Sequence, residues 1–101
     1  MMTIDVPEGY EALGRVLKLA IDQAAVGKGA ERHAEVGEPF ESQLICAIER
    51  RAGGGFCIGQ AVKKTLESQR LNRTGGIQEL LGAINYLAAA VIVIQEGLKN
   101  D

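Results

Sequence analysis

Gly75-Gly76-Ile77-Gln78-Glu79-Leu80-Leu81-Gly82-Ala83-Ile84-Asn85-Tyr86-Leu87-Ala88-Ala89-Ala90-Val91-Ile92-Val93-Ile94-Gln95-Glu96 is the stretch on which the fold turns. From Leu80 to Ile94 it is apolar nearly all the way round a helix. A helix without a polar face must be covered on every side. A chain of 101 residues has little material for that cover, because a domain of this size buries only about 60–65% of its unfolded surface. Gly82, Ala83, Ala88, Ala89 and Ala90 let neighbouring helices come close. The expectation is therefore an antiparallel αα-hairpin whose outer face packs against a second copy of the chain. The β-branched run Val91 to Ile94 also suits a strand, but it continues a long Ala/Leu segment and is read as helix.

Working outward, the partner helix of that hairpin is expected from about Phe56 to Leu71, so that the hairpin spans residues 56–96. Ile58, Ala61, Val62, Thr65 and Leu66 fall on one side of it, with Lys63, Lys64, Glu67 and Arg70 on other faces. Thr74 in Asn72-Arg73-Thr74-Gly75-Gly76 reads as the N-cap of the last helix. Before Gly53-Gly54-Gly55, a short helix from Pro39 to about Arg51 is expected to turn Leu44, Ile45 and Ile48 inward. The first helix should run from Glu8 to Val26, with Pro7 near its start, Glu8 and Glu11 at the positive end of its dipole, and Gly27 as its stop. Tyr10, Leu13, Val16, Leu17, Ala20 and Ala24 recur on it at helical spacing. The whole reads as a single all-α domain over residues 1–101, of short helices plus the long hairpin, assembled as a homo-oligomer.

Composition narrows the function. With 47% apolar residues, 11 basic against 13 acidic side chains and a net charge of −2, nothing draws the chain to DNA, RNA or an anionic membrane. The N-terminus lacks the basic and apolar regions of a signal peptide. The apolar run Leu87–Ile94, even extended back to Leu80, is interrupted by Gly82 and Asn85 and falls short of the ~20 residues that cross a bilayer. A cytoplasmic location is expected. Cys46 and Cys57, without a CxxC or Cys/His pattern, read as small buried apolar residues in a reducing compartment, with a disulfide between them as the lesser alternative.

Catalytic material is thin. His33 is the single histidine, and no nucleophile, metal set or orienting carboxylate accompanies it in the linear pattern. Glu8/Glu11 and Glu38/Glu41 have the ExxE spacing of helical nucleotide pyrophosphohydrolases, but at helix starts, where glutamates serve the dipole. No enzyme, metal or cofactor is expected. The segment Gly27-Lys28-Gly29-Ala30-Glu31-Arg32-His33 concentrates cations where two glycines free the backbone, which suits phosphate. It also reads as a solvated polar turn. Tyr10, at the first turn of a helix, can stack on a base or anchor a bundle end. Tyr86 and Asn85 read as structural, paired across an oligomer interface. Lys63, Lys64, Arg70 and Arg73 form a basic tract around the hairpin tip.

Taken together, EGYEALGRVLKLAIDQ (8–23), GKGAERHAEVGEPFESQ (27–43), FCIGQAVKKTLESQRL (56–71) and ELLGAINYLAAAVIVIQE (79–96) resemble a family of small phage proteins. These are the sponges that defeat CBASS and Thoeris immunity and share an Acb/Tad-type helical hairpin. The resemblance implies sequestration, without cleavage, of cyclic dinucleotides, and in some members of cyclic trinucleotides or cyclic ADP-ribose isomers. It implies a helical oligomer, commonly a hexamer, with ligand held between protomers. It places Tyr10 and Lys28 at the ligand, with Gly29, Ala30 and His33 around them and Arg70 at a trinucleotide site; Arg32, by its charge, is a further candidate to meet a phosphate. A helical pyrophosphohydrolase and a protein-binding adaptor are the competing readings.

Overall fold

The fold is that of a computed structural model, which describes residues 5–26 and 37–98. Among these residues there are four α-helices, one 3-10 turn and no strand, so the all-helical expectation holds. Helix α1 spans Glu11–Val26. A 3-10 turn over Phe40–Ser42 leads into α2, Leu44–Ala52. Helices α3, Phe56–Ser68, and α4, Arg73–Leu98, complete the chain.

The boundaries differ from the sequence reading where the backbone finds a turn first. Helix α1 starts at Glu11 rather than Glu8 because Gly9 takes φ +91°, and the Tyr10 N–H donates to the Pro7 carbonyl at 3.0 Å. The expected single helix from Pro39 splits at Gln43, whose extended backbone (φ −73°, ψ 162°) separates the 3-10 turn from α2. Buried Gln43 compensates by donating its side-chain amide to the Glu38 carbonyl at 3.0 Å. The glycine stop is real: Gly53 and Gly54 both adopt positive φ (76° and 96°), a region costly for any residue with a Cβ. Helix α3 ends at Ser68 rather than Leu71. Asn72, not Thr74, caps α4, its Oδ1 accepting the Gly75 N–H at 2.8 Å.

Helices α3 and α4 make the most extensive contact in the fold. Ser68 lies against Gly76, Lys64 against Gly82, and Phe56 edge-on to Tyr86 with ring centroids 5.8 Å apart. Rising positions on one helix thus meet falling positions on the other. Close approach depends on glycine: a Cβ at Gly76 would stand 2.9 Å from the Ser68 carbonyl oxygen. The core that results is built largely from small side chains, Cys46, Cys57, Ala61, Ala83, Ala89 and Ala90, with Ile45 and Tyr86.

That core corrects the inward face expected of α2. Helix α2 buries Ile45, Cys46 and Glu49, while Leu44 and Ile48 are exposed. Helix α3 buries Cys57, Ala61 and Ser68 and leaves Ile58, Val62 and Leu66 exposed. Helix α1 buries Ala20 alone. Within the chain Asn85 reaches α1, donating to the Ala20 carbonyl at 2.9 Å, beside a Gln23–Gln78 amide pair at 3.1 Å. At the other end of α4, Arg50 grips the Glu96 carboxylate through two bonds of 2.7 Å and also donates to the Glu41 carbonyl.

Helix α4 runs for 26 residues, so Gly82 and Asn85 do not interrupt it. By length and composition it is long and apolar enough to cross a membrane, contrary to the estimate from the shorter apolar run. Within the fold one side of it is packed on α1, α2 and α3.

Candidate functional site

Tyr10 stands immediately before α1 as its cap: its carbonyl accepts the Gly14 N–H at 3.0 Å. Its side chain is 58% exposed, so in the protomer it anchors no core. Val6 folds back over the helix, with its Cγ2 only 2.9 Å from where a Cβ on Gly14 would lie. Between that strap and the helix lies a shallow open depression of about 530 Å³, lined by Val6, Glu11, Gly14, Arg15, Lys18 and Leu19. Its charged rim faces an apolar floor. Lys18 is held by Asp22 at 2.7 Å. Arg15 was not singled out by the sequence reading. Its spacing supplies the missed signal, four residues after Glu11 and three before Lys18 on one helix face.

Lys28, Gly29, Ala30, Arg32 and His33 lie outside the described residues. The chain leaves α1 at exposed Val26 and returns at Gly37. Arg70 lies in the turn after α3 rather than late in the helix, its N–H donating to the Glu67 carbonyl at 3.0 Å. Its guanidinium meets the Glu67 carboxylate at 3.3 Å with the side chain 77% exposed, a solvated pair that adds little to stability.

One chain does not bring Tyr10 and Arg70 together. Gln23 contacts Gln78, and Ala20 contacts Asn85, so the start of α1 is directed away from the α3–α4 turn that carries Arg70. The basic tract around that turn is also smaller than expected. Lys64 is tucked between α3 and α4, paired with Glu79 at 3.0 Å and 5.9 Å from the centre of the Tyr86 ring. Lys63, Arg70 and Arg73 remain exposed.

The second polar cluster is internal. Glu49, 2% exposed, accepts the Cys57 N–H at 2.8 Å and so satisfies an orphan donor in the first turn of α3. Cys57 donates weakly to the Ile45 carbonyl at 3.7 Å, and both cysteines are free thiols. Burial, then the charge and hydrogen bond of Glu49, pushes the Cys57 thiol up to about 12. Burial raises Cys46 as well, against the lowering effect of Arg50. Thiols held neutral in this way are poor nucleophiles and poor metal ligands. Among the described residues no group of three His, Cys, Asp or Glu side chains is placed to hold a metal ion.

No family profile, no curated protein and no solved structure matches this chain. The described part of the site amounts to an exposed aromatic ring at a helix start, near a largely apolar depression rimmed by Glu11, Arg15 and the Asp22-paired Lys18. Such an arrangement can stack on a planar ring.

Proposed function

We propose that this protein sequesters cyclic oligonucleotide immune signals without cleaving them, and so blocks host anti-phage defence from the cytoplasm of the infected cell. The reading starts from the family resemblance. The observation that carries it furthest is the exposed Tyr10 ring at the start of α1, available to a ligand or a second protomer rather than spent on the core.

In this reading the ligand is a cyclic dinucleotide, with cyclic trinucleotides or cyclic ADP-ribose isomers as further candidates. Tyr10 stacks on a base. Lys28 and Arg32 meet the phosphates, with Gly29, Ala30 and His33 completing the wall, and charge-assisted bonds there contribute roughly 1.5–3 kcal/mol each. Arg70 serves a separate anion near the α3–α4 turn. The αα-hairpins pack into a homo-oligomer, a hexamer by the resemblance, and a two-fold between copies matches the near two-fold symmetry of a cyclic dinucleotide. Holding of this kind requires cations, N–H groups and stacking surface, and neither a base nor a nucleophile.

The test is native mass spectrometry of the full chain with a panel of cyclic di- and trinucleotides and cyclic ADP-ribose isomers. The expected result is tight binding, an oligomer with ligand in fixed ratio, and intact ligand released on denaturation. Linear or hydrolysed product would overturn the reading, and magnesium-dependent release of pyrophosphate from a nucleoside triphosphate would favour a pyrophosphohydrolase in its place. A monomer that binds no nucleotide would favour an adaptor for another protein, the reading to which the exposed apolar faces also lend themselves. Tyr10→Ala should weaken binding at least ten-fold while the oligomer mass stays unchanged.

A further inference from the structure

The exposed large side chains of α4 are not scattered. Ile77, Leu80, Leu87, Val91, Ile94 and Leu98 are 43–65% exposed, and half-buried Ile84 fills the one gap between them. Their spacing alternates three and four residues for the length of the helix, the a and d positions of a heptad. Every a position is Ile, Val or Leu, and every d position from Leu80 onward is Leu or Ile. The flanking positions are Leu81, Ala83, Ala88, Ala90 and Gln95, so no charge borders the seam along its length. The opposite side of the helix is the one packed on α1, α2 and α3.

We propose that this seam is covered by the α4 seam of a second copy of the chain, lying antiparallel. The inference rests on the oligomeric half of the reading above and not on its ligand. Area supports a stable pairing. Six half-exposed aliphatic side chains at roughly 100 Å² each give about 600 Å² per copy and about 1,200 Å² for the pair, the lower end of what a specific stable interface buries.

Direction follows from Arg73. This exposed residue occupies the d position that begins the seam. In a parallel pair two Arg73 guanidinium groups come side by side next to two positive helix ends. In an antiparallel pair, a positions face d positions of the partner. Ile77 then meets Ile94, Leu80 meets Val91 and Ile84 meets Leu87. The same register sets Arg73 over Leu98, at the negative carbonyl end of the partner helix. It leaves no apolar seam residue without a counterpart.

Two single variants, Ile77→Cys and Ile94→Cys, test both partner and direction. The native thiols are buried and stay out of the reaction. Under mild oxidation and without nucleotide, the co-expressed pair should form a 77–94 intermolecular disulfide in about half of the chains, the share that random pairing places in mixed pairs, and each variant alone should form little. Self-linking of Ile77→Cys would overturn the antiparallel arrangement. A second measurement uses Leu87→Glu: sedimentation mass should fall at least two-fold from the wild type with helical circular dichroism retained. Wild-type protein that sediments at 10.8 kDa would overturn the proposal, and so would a monomer that instead floats with neutral phosphatidylcholine vesicles. Because no nucleotide is present, these outcomes separate failure of the seam from failure of the ligand reading.

Discussion

Cys57 and Glu49 show how a residue of plain appearance is defined by what surrounds it. The thiol is fully buried and its ionisation is opposed first by lost solvation and then by the Glu49 carboxylate, which carries it from an ordinary 9.0 to about 12. A group with a raised folded-state value contributes its full stability below the unfolded value and loses it as pH rises through the folded one. Stability should therefore hold through neutral pH and decline between about pH 9 and 12. Urea midpoints across that range should fall less steeply for Cys57→Ala than for the wild type; parallel slopes would remove Cys57 as the cause. Glu49 closes the first turn of α3, so Glu49→Ala leaves the buried Cys57 N–H without its acceptor. We expect a loss of about 1–3 kcal/mol in urea unfolding, and a smaller loss for Glu49→Gln, which keeps an acceptor oxygen. The burial of the two cysteines was legible in the sequence from their type and isolation. The buried glutamate was not, because its partner is a backbone N–H brought near only when the Gly53–Gly54 turn folds α2 onto α3.

Among the elements, hydrophobic period located the helices and the Gly53–Gly54 pair located the end of α2, yet period alone does not tell which side of α3 faces in. Ile58, Val62 and Leu66 form the stronger apolar stripe, but the face turned toward α4 carries Cys57, Ala61 and Ser68. Close helix approach selects small side chains, and the larger ones are left for another contact. The α4 glycines separate two kinds of close approach. A Cβ at Gly76 would meet a backbone oxygen at 2.9 Å, whereas at Gly82 it would meet the flexible Lys64 side chain at the same distance. Gly76→Ala should cost about 1–3 kcal/mol through that clash. Gly82→Ala should lie within about 1 kcal/mol of the wild type, because Lys64 can swing aside and alanine favours the helix. Equal losses in thermal unfolding would show that Lys64 is as fixed as the backbone. The α4 cap separates from the sequence reading in the same way: Asn72→Ala should cost about 1 kcal/mol, and Thr74→Ala much less.

At the scale of the whole molecule, α1 is the element least accounted for by its own chain. It buries Ala20 and is tied to α4 by the Asn85–Ala20 and Gln23–Gln78 bonds, while Leu13, Val16, Leu17, Leu19 and Ile21 are exposed. Tyr10 was legible as a candidate because an aromatic at a helix start can stack on a base as well as anchor a bundle end. Its distance from the Arg70 turn was not, since only the order of contacts along α4 sets the direction of α1. An element with so little buried apolar surface opens locally at small free-energy cost. Hydrogen exchange on dilute, monomeric Leu87→Glu protein should therefore find α1 amides exchanging at least ~10-fold faster than those of α4 between Leu81 and Ala90. Asn85→Ala in the same background should widen that difference by freeing the Ala20 carbonyl, with α3–α4 protection unchanged. Uniform protection of α1 and α4 in the monomer would mean that the two amide contacts suffice to hold α1. Protection of α1 that appears only in the assembled wild type would make the Tyr10 end a product of assembly, with its aliphatic face closed by a neighbouring copy.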